Sequence, residues 1–139
     1  MRRVQQRRIS FDLLGVLTLD APAAEQLAPL NALALALYQC NLSWLDLNPG
    51  APSIMAGGVR YAADPRGVEI WRDVGSLLAR GVGDCKAIAA AYAAELTRQG
   101  RHAVPCVVPV AADALDFHVV VDTFDGERLD PCVALGMPT

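Results

Sequence analysis

The stretch GVGDCKAIAAAYAAELTRQG, residues 81–100, decides the fold of this chain. Two glycines lead into Asp84, a residue type that accepts hydrogen bonds from the first free N–H groups of a helix. Apolar side chains then recur at helical spacing, at Ile88, Tyr92 and Leu96. Gly100 ends the pattern, as glycine commonly does after a helix. The stretch therefore predicts a helix that begins at Cys85 and places the thiol on its buried side.

The residues before this helix also follow a helical pattern. Asp20-Ala21-Pro22 favours a helix start, and helical spacing continues to about residue 47, with a kink or split expected at Pro29. Segment 51–67 is rich in turn residues and predicts loops around a short extended piece at 59–61. A second, short helix is expected over 74–79.

The residues after the helix predict strands. Segments 103–110 and 117–124 are rich in valine, and the second alternates between two faces. Asp125-Gly126 is a hairpin signal, which makes 128–133 the return strand. Helices packed on a C-terminal antiparallel sheet define an α+β domain, and the length of 139 residues allows one domain over 1–139.

Composition excludes several classes of function. The net charge of −3 and the 6% aromatic content provide neither a basic stripe nor a stacking platform, so no nucleic-acid partner is expected. Polar residues interrupt the uncharged stretch 27–44, so no membrane partner is expected, and without a signal sequence the protein should be cytoplasmic. The cysteines lack ligand or CxxC spacing, which predicts free thiols and neither metal nor cofactor.

Cys85 is the strongest candidate for chemistry. In the first turn of a helix, free N–H groups and the helix dipole favour an anion, so the pKa of the thiol should fall. Asp84 would oppose this if its carboxylate faced the sulfur, but a capping side chain bound to the backbone points elsewhere. The side chain of Lys86 is expected in solvent, because adjacent helix positions diverge.

Three motifs together resemble the transglutaminase-like cysteine enzyme superfamily. They are Gly-Asp-Cys at the helix start, His118 in a Phe-His-Val-Val-Val-Asp strand, and Leu-Asp-Pro with Asp130 at its centre. The resemblance covers 61–135 and is closest to small bacterial or phage-borne members. It implies a papain-like core with Cys85 as nucleophile, His118 as the base that activates it and Asp130 as the group that orients His118.

The hairpin register decides whether Asp130 can reach His118. A two-residue turn would place Asp130 opposite Val121, on the face away from His118. We therefore predict a one-residue bulge, which restores the correct face. Asp122 is the rival partner, but it lies four residues along the strand, about 13 Å from His118.

These residues predict acyl transfer on an amide bond through a thioester at Cys85. Hydrolysis of a peptide or protein substrate, by a peptidase or amidase, is the leading expectation. One alternative is a cross-linking or deamidating transglutaminase, and another is a catalytically silent module for assembly or adaptor functions. The backbone N–H of Cys85 is one expected oxyanion donor. The second stays open among four side chains, those of Asn41, Trp44, Tyr61 and Trp71.

Overall fold

The computed structural model describes residues 9, 17, 21–65, 69–111 and 116–138. These residues form a mixed helix and sheet domain, so the predicted α+β class is confirmed. The helices are α1 (Leu27–Leu47), α2 (Val74–Arg80), α3 (Cys85–Arg98) and α4 (Pro131–Ala134). The strands are β1 (Arg60–Tyr61), β2 (Val82–Gly83), β3 (Ala103–Pro109), β4 (Phe117–Thr123) and β5 (Arg128–Leu129).

Helix α1 is preceded by a 3-10 turn, Ala23–Gln26, and continues without interruption to Leu47. Pro29 is its third residue and does not split it. The N–H groups of a helix's first turn have no acceptor within the helix, so a proline there removes no hydrogen bond. The predicted break lies instead where the 3-10 turn passes into α1.

Helix α3 lies at the centre of the core, in contact with the other three helices and with strands β3 and β4. The predicted helix and its start at Cys85 are confirmed. Its burial extends beyond the single apolar face that the sequence predicted, because six alanines are 0–1% exposed: Ala87, Ala89, Ala90, Ala91, Ala93 and Ala94. Such small side chains let neighbouring elements approach the helix closely on several sides.

A buried carboxylate near the end of α3 anchors the loop that follows α1. Glu95 is 7% exposed, and its two carboxylate oxygens accept hydrogen bonds from the Ile54 N–H and the Ser53 hydroxyl, both at 2.7 Å. Burial raises the pKa of this carboxyl, and the two hydrogen bonds oppose that shift. Through these bonds the loop closes one end of the core.

The main sheet is antiparallel, with strand order β3-β4-β5. Val107 pairs with Val119, and Val121 pairs with Leu129. The predicted return strand over 128–133 is too long, because β5 ends at Leu129 and α4 begins at Pro131. Asp130 caps α4 by accepting a hydrogen bond from the Cys132 N–H, so chain direction changes there.

A second, two-stranded sheet leads into α3. The extended piece predicted at 59–61 is confirmed as β1, which pairs in parallel with β2, a strand that the sequence did not predict. A Cβ atom at Gly83 would lie 2.4 Å from Leu77 Cδ1, so glycine permits this close packing just before Cys85.

Some predictions concern residues outside the described ranges. They are Asp20 of the predicted helix start, and Arg66 and Gly67 of the turn-rich segment 51–67. Within the described ranges, no helix has both the length and the apolar character needed to cross a bilayer.

Candidate active site

The hairpin between β4 and β5 has the register that the predicted site requires. Thr123 is paired with Glu127 across a three-residue turn, and the Gly126 N–H donates to the Thr123 carbonyl at 3.1 Å. Gly126 has φ +93°, in the region that favours glycine. The one extra residue that was predicted as a bulge in the hairpin is therefore present, and it lies in the turn.

This register brings His118 and Asp130 together. Asp130 falls opposite Val120, on the same face of the sheet as His118. Its Oδ2 atom lies 2.8 Å from Nε2 of His118, and its Oδ1 atom accepts from the Cys132 N–H at 3.1 Å. Asp122, the rival partner, instead binds the guanidinium of Arg128. Because Asp130 occupies Nε2, the Nδ1 atom of His118 is left for a reacting group.

Cys85 lies at the head of α3, partly exposed and packed against the core. The Asp84 carboxylate accepts from the Lys86 and Ala87 N–H groups, which confirms the predicted cap. The backbone N–H of Val119 lies close enough to the Cys85 sulfur to lower the pKa of its thiol, so the sulfur lies beside the residue that follows His118. Among the described residues, no hydrogen bond joins the Cys85 thiol to the His118 ring.

The surroundings of Cys85 raise the pKa of its thiol to about 11, which contradicts the expected fall. Burial is the largest cause, and the negative charge of Asp84 is the second. The Val119 N–H and Lys86 lower the pKa, but less. Burial removes the water that would solvate a thiolate, and this outweighs the helix N-terminus. Cys85 is therefore a neutral thiol at pH 7.

Lys86 is buried, which corrects the prediction of a solvated side chain. It is 4% exposed, and its ammonium pairs with three carboxylates, those of Asp84, Asp64 (3.3 Å) and Glu69 (2.9 Å). Burial lowers the pKa of Lys86, but the negative charges of Asp84 and Glu69 outweigh this effect and raise the pKa overall. The ammonium also lies 5.7 Å from the centre of the Trp71 ring. Lys86 thus joins the segment before α2 to the head of α3.

The four side chains considered as oxyanion donors divide into two groups. Trp71 stacks on Phe117, the residue before His118, with ring centres 6.5 Å apart. Tyr61 lies near Cys85, and burial followed by the charge of Cys85 raises the pKa of its phenol. The other two lie between α1 and α2, where Asn41 accepts from the Val74 N–H and Trp44 packs on Gly75.

Cys132 is a second thiol close to Cys85. It is fully buried in α4, and burial followed by the charge of Cys85 raises its pKa. All four cysteines are free, as predicted, with Cys40 exposed and Cys106 half-buried on β3. In the part of the chain that the structure describes, no three His, Cys, Asp or Glu side chains are grouped to hold a metal ion.

A cavity of about 240 Å³ lies between the segment after β1 and the head of α3. Residues 62–65 line one side of it, and Gly83 and Asp84 line the other. Arg72 and Arg80 also contribute to its wall. The cavity therefore adjoins the residue before Cys85 and is bounded by part of the 51–67 loop.

Comparisons with known proteins found no match among protein-family models, curated proteins or solved structures. Contacts within the chain therefore carry the interpretation of this site. The structure joins His118 to Asp130 directly and places Cys85 beside the same strand. Sequence reasoning missed the buried ammonium of Lys86, for which the acidic residues Asp64, Glu69 and Asp84 were the signal.

Proposed function

We propose that this protein is a cysteine-dependent enzyme that hydrolyses an amide bond through a thioester at Cys85. The fold proposed with this activity is the papain-like core of the transglutaminase-like superfamily. The observation that carries the proposal is the 2.8 Å hydrogen bond between His118 and Asp130, on the strand β4 against which α3 packs with Cys85 at its head. Nucleophile, base and orienting carboxylate would then meet where α3, β4 and α4 converge.

Attack would begin from the neutral thiol. Since the pKa of Cys85 is about 11, His118 must take the proton as the sulfur adds to the carbonyl carbon. The proton moves from the sulfur to Nδ1 of His118, and Asp130 stabilises the imidazolium through Nε2. The imidazolium then protonates the leaving amine as the C–N bond breaks, which leaves a thioester on Cys85. Water hydrolyses the thioester and releases the acid.

The developing oxyanion would find its first donor at the head of α3. The N–H of Cys85 is the first in the helix and has no acceptor within it. Trp71 and Tyr61 are the side chains near the reacting residues that could supply a second donor. The 240 Å³ cavity beside Asp84 would hold part of the substrate, in contact with residues 62–65. We propose a peptide or protein substrate, the amide that the resemblance to the transglutaminase-like superfamily implies.

The silent module is the second candidate, and two observations favour it. The pKa of the Cys85 thiol is raised rather than lowered, and no hydrogen bond joins this thiol to His118 among the described residues. A relative that has lost activity would need neither feature. Such a module would use the same fold for assembly or as an adaptor.

Trapping of the acyl-enzyme tests the proposal without knowledge of the natural substrate. The purified chain is incubated with p-nitrophenyl esters and a peptide ester library, quenched in acid, and digested for mass spectrometry. The acyl group should appear on the Cys85 peptide and should be removed by hydroxylamine. Continued release of p-nitrophenol after the first equivalent would indicate hydrolysis, whereas capture by an added primary amine would indicate the cross-linking alternative.

The matched controls are Cys85→Ala and Cys106→Ala. The first should abolish the adduct and turnover, whereas the second removes a half-buried thiol on β3 and should leave both intact. An absence of any Cys85 adduct across the panel, in a chain that is folded by circular dichroism, would refute the enzyme and leave the silent module.

A further inference from the structure

The hydrogen bonds of the main sheet show which side each residue of β4 faces. Phe124 donates to His102 and Val110 donates to Asp116, so even-numbered positions of this strand bond to β3. The Thr123 N–H donates to Glu127 at 2.9 Å, on the opposite side. In an antiparallel sheet, successive residues of a central strand form their backbone hydrogen bonds to opposite neighbours. Val121 therefore bonds to β5, and the backbone N–H of Val119 points toward the β5 side of β4 as well.

Residue 131 would be the next partner along this edge, and it is a proline. The register in which Val121 pairs with Leu129 places Val119 opposite Pro131. Pro131 has no N–H to give, and its carbonyl already accepts from the Leu135 N–H at 3.1 Å within α4. The Val119 N–H therefore loses its strand partner where β5 ends.

A buried N–H without a partner is costly, so this donor needs another acceptor. The sulfur of Cys85 is the acceptor beside this gap, since Cys85 packs against the core cluster that contains Val119 and the Val119 N–H lowers the pKa of its thiol. The end of β5 thus has two effects at one point. It turns Asp130 toward His118 and opens a position for the sulfur one residue further along β4.

We propose that the main-chain N–H of Val119 is a positioning group of the reactive centre, which holds the sulfur beside His118 and stabilises the thiolate once it forms. The proposal deepens the proposed function, but its chemistry can be measured on the thiol alone. A hydrogen bond to a charged acceptor is stronger than one to a neutral acceptor, so the N–H favours the ionised sulfur. The N–H acts in the same direction as Lys86 and against the negative charges of Asp84 and Glu69. The ionisable side chains of Tyr61 and Cys132 also interact with this sulfur.

Replacement of the amide by an ester tests this directly. Ribosomal incorporation of α-hydroxyisovaleric acid at position 119 of the full chain keeps the side chain of Val119 and removes only its N–H. The rate of alkylation of Cys85 by iodoacetamide at pH 8 should fall about tenfold. A rate within about twofold of the unmodified chain would overturn the proposal.

The same ester at Val121 is the matched control. It removes one ladder hydrogen bond from a buried valine on the same strand, so it reports the cost to the fold. This control should leave Cys85 alkylation unchanged. An equal loss of rate in both chains would also overturn the proposal, because the effect would then not be specific to Val119.

A second measurement applies if either ester chain fails to fold. In the ¹⁵N-labelled protein, Cys85→Ala removes the acceptor, so the Val119 amide proton should move upfield while that of Val121 stays in place. An unmoved Val119 resonance would refute the hydrogen bond. Neither measurement depends on turnover. The role of the Val119 N–H can therefore be refuted while the proposed enzyme activity is confirmed, and the reverse is also possible.

Discussion

Asp130 and His118 are separated by 12 residues and joined by a hydrogen bond of 2.8 Å, from Oδ2 to Nε2. The other oxygen of the same carboxylate caps α4 by accepting from the Cys132 N–H. One side chain therefore orients the imidazole and starts a helix. These two roles can be separated, because asparagine caps helices about as well as aspartate but carries no charge.

Asp130→Asn should lower turnover about 100-fold or more while the fold is kept, since His118 loses the charge that stabilises its protonated form. The ester found by acyl-enzyme trapping serves as substrate, and thermal unfolding by circular dichroism reports stability. Asp122→Asn is the control, because Asp122 lies on the same face of β4 as His118 but binds Arg128. Full turnover by Asp130→Asn would remove Asp130 from the mechanism.

Alkylation of Cys85 should become faster as pH rises toward 11. Burial and Asp84 raise the pKa of this thiol to about 11, so the reactive thiolate is a minor species at pH 7. Below the pKa, the rate should increase about tenfold for each pH unit. Peptide mass spectrometry after iodoacetamide treatment measures the rate, with exposed Cys40 as the reference in the same sample. A plateau reached below pH 8.5 would contradict this and indicate a Cys85–His118 ion pair.

Lys86→Met should destabilise the fold by about 3–5 kcal/mol, because three carboxylates lose the ammonium that neutralises them. The pKa of the Cys85 thiol should also rise, since Lys86 lowers it. Urea unfolding and alkylation rates measure the two effects. Arg98→Met breaks an exposed pair with Asp46 and should change stability by about 0.5 kcal/mol or less. Equal effects of the two substitutions would show that burial of Lys86 carries no energetic weight.

Glu95→Gln should gain stability relative to the unmodified chain as pH rises above 4.5. Burial raises the pKa of Glu95 above its ordinary 4.5, so the folded state takes up a proton in this range. In the unmodified chain, the contribution of Glu95 to stability is then fully present below pH 4.5 and is lost as pH rises through the pKa that Glu95 has in the folded state. Gln keeps an acceptor for the Ile54 N–H and has no charge to bury. Urea unfolding of both chains from pH 4 to pH 8 tests this, and a difference that does not vary with pH would contradict it.

Gly126→Ala should destabilise the hairpin by about 1–2 kcal/mol, because its φ of +93° is unfavourable for any residue with a Cβ atom. No atom lies within 4 Å of a Cβ built at Gly126 or at Gly50, and of these two glycines only Gly126 has positive φ. Gly50→Ala is therefore the matched control for the loss of glycine flexibility. Comparable unfolding midpoints for the two variants would show that the turn tolerates alanine.

Much of the fold could be predicted from the sequence because its signals are local. The cap at Asp84, the helical spacing after it and the turn at Asp125-Gly126 each lie within a few residues. They placed α3, β4 and the hairpin correctly. The register was also predicted correctly, because Asp130 had to lie on the same face of the sheet as His118. The coarse class followed from the order of these elements.

The electrostatics of the site could not be predicted in the same way. Lys86 pairs with Asp64, which lies 22 residues away along the chain, and no local pattern connects the two. The pKa of Cys85 depends on burial, which tertiary packing determines, whereas the sequence revealed only the helix terminus. The end of β5 was also missed, because Val133 suits a strand and the cap made by Asp130 becomes evident only with α4 in place.

The three-residue turn before β5 constrains how this sequence can change over time. Side chains along a strand alternate between two faces, so inserting or deleting one residue in the turn would send Asp130 to the face away from His118. Phe124 is exposed, so substitutions there would leave that geometry intact, whereas Asp125 accepts a hydrogen bond from the Thr123 hydroxyl within the turn. Relatives that keep the pair should therefore conserve the length of this turn and the glycine at its third position, and vary at its first.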